Sequence, residues 1–377
     1  MLRLLILTCL AGAPLAAQGA LPFTDGKWEL RGDSTVLSTV DGRAAVRMYT
    51  GGATRRDVRL EDGTIDMDVF MSSRRSFVYV GFRMQDDQNG EEFYIRPHKS
   101  GLPDAVQYAP IFQGQSAWQL YHGTAGTAAA NVPVNAWTRL RIVLSGRQAA
   151  VFLGDTLRPV LVVPRLARTP RAGYLELKGF LPRDTPGAGA IATFANVRVR
   201  PGVIAYGFRP VADRPLSSGV IRDWTVSTAF NTRSIAPIAI DPTWLRQPQV
   251  ATVEPSGMLE LHRWLPMPAP DTGVFDVATV ARVRLIAERA GLRRLDLGFS
   301  DAATVFLNGQ PIFHGNDSYS FPQRRDGLMG FDQATVYLPL RAGANDLSVF
   351  VTDHFGGWGL MARLPDMQGL RVQRATP

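Results

Sequence analysis

Cysteine is nearly absent from this chain, and Cys9 is its only example. Everything after residue 9 is therefore without a disulfide, a Cys-ligated metal or a thiol nucleophile. Lysine is almost as scarce: Lys27, Lys99 and Lys178 are the only ones, so arginine carries the positive charge. No apolar run is long enough to cross a bilayer as a helix. No stretch of helical period with clean caps interrupts the body of the chain. No repeat of about 20 to 50 residues recurs, which leaves a solenoid or propeller unsupported. A phosphate-binding loop, a Gly-x-Ser-x-Gly elbow and a His-Glu-x-x-His zinc motif are all missing. The chain up to His98 holds no other histidine, which argues against a His-ligated metal there.

What remains is an ordinary globular composition. With 377 residues, 45% of them hydrophobic, the chain is long enough for two cores. The net charge of +8 is spread over scattered pairs, Arg55-Arg56, Arg74-Arg75, Arg293-Arg294 and Arg324-Arg325. They form no stripe with interleaved aromatics, which argues against nucleic acid. An acidic polysaccharide or an anionic membrane surface suits diffuse positive charge better; a solvated arginine-rich surface is the plainer reading.

The N-terminus reads as a secretory signal over residues 1–20. Arg3 precedes the mostly apolar stretch Leu4 to Leu10, and small residues suited to cleavage follow. A lipoprotein anchor on Cys9 is the competing reading. Export without disulfides fits a secreted or periplasmic protein of a bacterial envelope.

The most informative segment is 79–98. Val80, Phe82, Met84, Phe93 and Ile95 alternate with Tyr79, Arg83, Gln85, Glu92, Tyr94, Arg96 and His98 across the turn Asp86-Asp87-Gln88-Asn89-Gly90. Side chains alternate faces along a strand, so this predicts a hairpin with one apolar and one polar-aromatic face. Tyr rings can stack on a sugar's apolar face, and Arg and Gln can hydrogen-bond its hydroxyls. A ligand-free ladder of Glu92, Arg96 and Arg83 is the alternative.

Similar short strands, broken by Gly and Asp turns, fill residues 21–200 and predict an antiparallel sandwich. A Pro/Gly-bearing linker follows at 201–219. A second all-β region occupies 220–377, its clearest signal being Val305-Phe306-Leu307-Asn308-Gly309-Gln310-Pro311-Ile312-Phe313. An Asn-Gly pair between β-forming residues marks a hairpin, because both residues tolerate positive φ.

Several of these segments resemble a known superfamily. Asp62-Gly63-Thr64-Ile65-Asp66-Met67-Asp68, Gly81-Phe82-Arg83-Met84-Gln85-Asp86-Asp87, Phe93-Tyr94-Ile95-Arg96-Pro97-His98, Asp104-Ala105-Val106-Gln107-Tyr108 and Trp137-Thr138-Arg139-Leu140-Arg141-Ile142-Val143 resemble, in order and type, the concanavalin A-like lectin/glucanase (laminin G-like) jelly roll. Val305-Phe306-Leu307-Asn308-Gly309, the segment Leu338 to Leu347 and Gly356-Gly357-Trp358-Gly359 resemble the galactose-binding-like jelly roll of family 2 glycosidases. That domain is usually an accessory, and the catalytic barrel that accompanies it has no counterpart here. The resemblances imply two tandem β-sandwiches, and fold alone does not choose between binding and catalysis.

Three readings of function follow. The first is an exported carbohydrate-binding protein, with Tyr79, Arg83, Gln85, Tyr94, Arg96 and His98 lining a groove and Trp118 or Tyr121 at its edge. The second is a glycoside hydrolase or lyase using Asp66, Asp68, Glu92 and His98. Laminarinase-like members of the superfamily carry a Glu-x-Asp-x-x-Glu strand; here Asp66-x-Asp68 lacks the third carboxylate, so solvated or Arg-paired aspartates are the plainer reading. The third is a structural envelope or adhesion protein. Asp86, Asp87 and Asn89 could hold calcium or simply shape a turn. Arg31-Gly32-Asp33 is the cell-adhesion tripeptide and also ordinary turn chemistry. In the second region His314, Tyr319, His354 and Trp358 could build a sugar pocket, although a large aromatic such as Trp358 equally suits a core.

Overall fold

A computed structural model of the chain describes residues 19–32, 34–183, 189–212, 215–274, 276–319 and 329–375. Nearly all of the N-terminal leader, including Cys9, and Asp33 of the Arg-Gly-Asp tripeptide lie outside the described residues. Apart from three single-turn 3-10 helices, the regular structure among the described residues is all strand. No helix there is long and apolar enough to cross a membrane.

Two compact units emerge. The first comprises 1–85, 92–106 and 128–209; the second comprises 86–91, 107–127 and 210–377. These bounds differ from those read off the sequence. Residues 107–127 group with the second unit, and 201–209 pack onto the first instead of linking. Tyr206 meets Phe152 and Phe208 edge-on, at ring separations of 5.6 and 4.9 Å, so burial holds this segment down.

The first unit is a sandwich. One sheet runs Leu161–Val163, Gln148–Leu153, Trp137–Ser145, Gly63–Met71, Ala192–Pro201, Arg43–Met48, Val36–Val40. The other contains, in order, Glu29–Arg31, Gly51–Leu60, Gly173–Phe180, Phe77–Asp86 and Asn89–Ile95. Period-two patterning puts Ile65, Met67 and Val69 inward from the first sheet and Val80, Phe82, Phe93 and Ile95 inward from the second; all are buried. Phe82 and Phe93 stack at 5.3 Å.

The second unit holds two further antiparallel sheets, one built on the long pair Asp276–Ala287 and Gly343–Asp353, the other on Gly291–Ser300 between Ala334–Leu340 and Gly359–Arg363. Their apolar faces close one core containing Trp224, Val283, Leu297, Val349 and Trp358. The Asn308-Gly309 turn forms as predicted, with φ of 51° and 83° and Leu307 opposite Gln310.

Candidate functional site

The alternation read from 79–98 holds up to Phe82 and then breaks. In the pairing of Phe77–Asp86 with Gly173–Phe180, Glu176 faces Gly81 but Tyr174 faces Met84. Two residues, Phe82 and Arg83, thus stand opposite Leu175 alone, which is a β-bulge. Arg83 takes a φ of 49° there. Glu176 and Tyr174 share a face, so the bulge turns Met84 outward and removes Arg83 and Gln85 from the polar-aromatic face. Arg83 is buried and donates to the Glu61 carbonyl at 2.7 Å, the Gly146 carbonyl at 2.8 Å and Asp62 at 3.0 Å. It clasps two turns. Gln85 donates to the Arg83 carbonyl at 2.9 Å.

The remaining face is assembled from five strands. Tyr79 and Tyr94 lie 5.2 Å apart, with Phe77 at 6.4 Å from each. His98 and Phe180 flank Phe77 at 5.5 and 5.9 Å. Arg96 sits over the Tyr94 ring at 4.5 Å, donates to the Tyr94 hydroxyl at 2.7 Å and pairs with Asp104 at 3.4 Å. Beside the rings runs a charged row. Lys178 Nζ lies 2.8 Å from Glu92 and 3.6 Å from Glu176, and Arg31 pairs with Glu176 from the other side. Lys178 also rides over the Tyr79 ring at 5.2 Å. Of the residues in the alternative ligand-free ladder, Glu92 pairs with Lys178, Arg96 with Asp104 and Arg83 with Asp62.

Two buried glycines let this row lie close against the sheet. A Cβ on Gly81 would meet Glu176 Cβ and Met84 Sδ at 3.3 Å, and one on Gly52 would meet the Leu177 carbonyl at 3.1 Å. Phe180, Tyr79, Phe77, Lys178 and Arg31 reach solvent, while Tyr94 and Glu92 lie beneath them.

Electrostatics fix the protonation states. Burial pushes both tyrosines above their ordinary range, so each keeps its hydroxyl proton. Burial works against the Lys178 ammonium, but Glu92 and Glu176 outweigh it and hold its pKa up. Burial first, then Lys99, lowers the pKa of His98. Its Nδ1 accepts from the Ser76 N–H at 3.3 Å, which leaves Nε2 carrying the proton. The face thus offers ring surfaces, fixed cationic and neutral donors, and carboxylate acceptors.

Several sequence-predicted residues lie elsewhere. Asp66 and Asp68 project from the other sheet, on the opposite outer face from Glu92 and His98, so the four do not form one catalytic set. Asp66 is held by Arg141 at 2.7 Å, Arg200 at 2.8 Å and Arg139 at 3.3 Å; Asp68 accepts from Asn196 at 2.6 Å. Trp118 and Tyr121 belong to the second unit. Tyr121 donates to Glu254 at 2.5 Å. Asp86 accepts from Gln88 N–H at 2.8 Å and Asn89 at 3.0 Å, which is turn chemistry. Among the described residues no group of three or more His, Cys, Asp or Glu could hold a metal ion.

In the second unit Trp358 is fully buried and donates to the Val351 carbonyl at 3.2 Å, which makes it a core residue. His354 pairs with Asp276 at 2.8 Å, and His314 meets Thr304 at 3.1 Å from an exposed strand. Tyr319 instead joins Trp118 and Phe355, at 6.0 and 5.6 Å.

Phe77, Glu176, Lys178, Phe180 and Arg31 were missed by sequence reasoning. The segment Tyr174, Glu176, Lys178, Phe180 carries the same polar-aromatic period as Tyr79 and Tyr94, and that signal was available. Its position beside them was not, because Gly173–Phe180 is remote in sequence.

No protein-family model matches the sequence, and no curated protein matches it. Solved structures do. A carbohydrate-binding module, CBM66 from Bacillus subtilis, is similar over 45% of this chain and 93% of its own, at 16% identity and a TM-score of 0.34. The β-glucanase of Bacillus licheniformis is similar over 48% and 98%, at 11% identity and a TM-score of 0.35. The galectin LEC-6 of Caenorhabditis elegans is similar over 46% and 96%, at 14% identity and a TM-score of 0.26.

Proposed function

We propose that this is an exported carbohydrate-binding protein whose first sandwich presents the sugar site. The observation that carries the reading is the juxtaposition of Tyr79, Phe77 and Phe180 with the row Glu92, Lys178, Glu176 and Arg31 on one sheet face. A pyranose has apolar C–H faces and a rim of hydroxyls. Rings bind the first and charged donors and acceptors the second. The second sandwich serves as an accessory module.

The test is a glycan-binding screen of the full chain followed by Tyr79→Ala. Loss of one stacked ring is expected to weaken binding about tenfold, a cost of about 1–1.5 kcal/mol. A screen without a hit, or a Tyr79→Ala variant binding as tightly as the parent, would refute the reading.

A second reading, glycoside hydrolysis, is favoured by the two buried carboxylates Glu92 and Glu176 near one another. An acid and a nucleophile flanking a scissile bond suit that chemistry. Against it, Lys178 occupies the space between them. Sugar release from a polysaccharide panel, abolished by Glu92→Gln, would establish this reading in place of the first.

A further inference from the structure

The first sandwich has a second outer face, on the sheet away from Tyr79, and it is built from arginine. Cross-strand pairing places Arg141 and Arg198 on either side of Asp66, Arg139 opposite Asp68, Arg200 opposite Thr64, and Arg47 in the row of Thr193 and Phe70. Arg43 reaches in from the neighbouring strand, 3.7 Å from Asp68 and 4.9 Å over the Trp137 ring. Directly paired residues share a face, so six arginines confront Asp66 and Asp68 there, with Asp41 at the margin accepting from Trp137 at 2.8 Å.

Asp66 shows what such a face holds. Its carboxylate is buried beneath Arg141, Arg139 and Arg200, and despite burial these guanidiniums keep its pKa below the usual carboxylate range. Arg47 and Arg198 carry no acidic partner among the described residues; Arg47 is exposed and Arg198 half-buried. The guanidinium is planar and pairs bidentately with carboxylates, which a lysine ammonium does not do.

We propose that this face docks an acidic polysaccharide, a polymer of uronate units whose carboxylates continue the pattern set by Asp66. The inference is independent of the sugar site on the Tyr79 face. Nucleic acid fits less well, because the rings beside the arginines pack on one another and not outward: Trp137 on Phe70 edge-on at 5.9 Å, and Phe152, opposite Arg141, against Tyr206 edge-on at 5.6 Å. An anionic membrane fits less well, because the exposed apolar side chain opposite Arg47 is the short Val36, and Trp137 is tied to Asp41 at 2.8 Å, so neither is a deep anchor among headgroups.

The experiment is binding of the full chain to polygalacturonate, alongside duplex DNA and phosphatidylserine vesicles. Binding to polygalacturonate is expected at low salt and release near 0.5 M salt, where the screening length falls to about 4 Å. Arg47→Glu with Arg198→Glu is expected to cost about tenfold or more in affinity. Neither side chain has an ion pair among the described residues to lose, and thermal unfolding verifies the fold. Arg47→Lys with Arg198→Lys should recover only part of the affinity, while Tyr79→Ala should leave it unchanged. Absence of binding by the parent, salt-independent binding, or an unaffected double glutamate variant would overturn the proposal. So would DNA or vesicles bound as tightly as the polyuronate.

Discussion

Nε2 of His262 lies 3.0 Å from Oδ2 of Asp353, in the interior of the second sandwich. Glu260 faces the other ring nitrogen at 3.2 Å. Burial opposes the imidazolium, but Asp353 and Glu260 outweigh it and raise the pKa from 6.5 to about 10. A raised folded-state pKa contributes stability that is complete below the unfolded value and is lost as pH climbs through the folded one. Unfolding free energy is therefore expected to fall between about pH 6.5 and 10. His262→Gln should be less stable at pH 7 and should flatten this slope, as denaturant titrations at both ends of the window would reveal.

Asp301 should impose a second, more acidic window. Its carboxyl is fully buried, and its Oδ2 accepts from the backbone N–H groups of His354 at 2.6 Å and Phe355 at 2.8 Å. Burial raises its pKa from 3.8 to about 7, with the N–H donors opposing and Asp353 reinforcing the rise. The native state thus holds the proton more tightly than the unfolded chain. Its contribution is full below about pH 3.8 and is lost as pH rises towards 7. Asp301→Asn keeps an acceptor for both N–H groups, and the pH dependence across that interval should diminish in the variant.

Lys178→Met would leave Glu92 and Glu176 side by side without their shared cation. Breaking a buried ion pair by removing one partner costs about 3–5 kcal/mol. Lys178 is 31% exposed, so solvent moderates this and a loss of about 2 kcal/mol is expected. A change below about 0.5 kcal/mol in chemical unfolding would show that the row is not an electrostatic unit.

Trp358 should matter for folding alone. Trp358→Ala empties a fully buried site and is expected to cost about 3–5 kcal/mol. Glycan affinity measured under conditions where the variant remains folded should be unchanged. A selective loss of affinity would return Trp358 to the binding surface.

Sequence alone determined the fold class and much of the hydrophobic patterning. Two-residue periodicity needs only the alternating geometry of a strand, so Val80, Phe82, Phe93 and Ile95 could be assigned to a core, and Asn308-Gly309 to a turn, without coordinates. It also placed Tyr79, Tyr94, Arg96 and His98 together, because a hairpin is local.

Tertiary structure decided the rest. One extra residue at Phe82-Arg83 inverted the phase after it, and periodicity cannot foresee a bulge whose cause is a backbone paired from elsewhere in the chain. Glu176 and Lys178 became neighbours of Glu92 and Tyr79 only because Gly173–Phe180 pairs with Phe77–Asp86. Asp66 went to the opposite outer face because its strand belongs to the other sheet. Alternation tells which side of its own sheet a residue takes, whereas long-range pairing chooses the sheet and the company it keeps there.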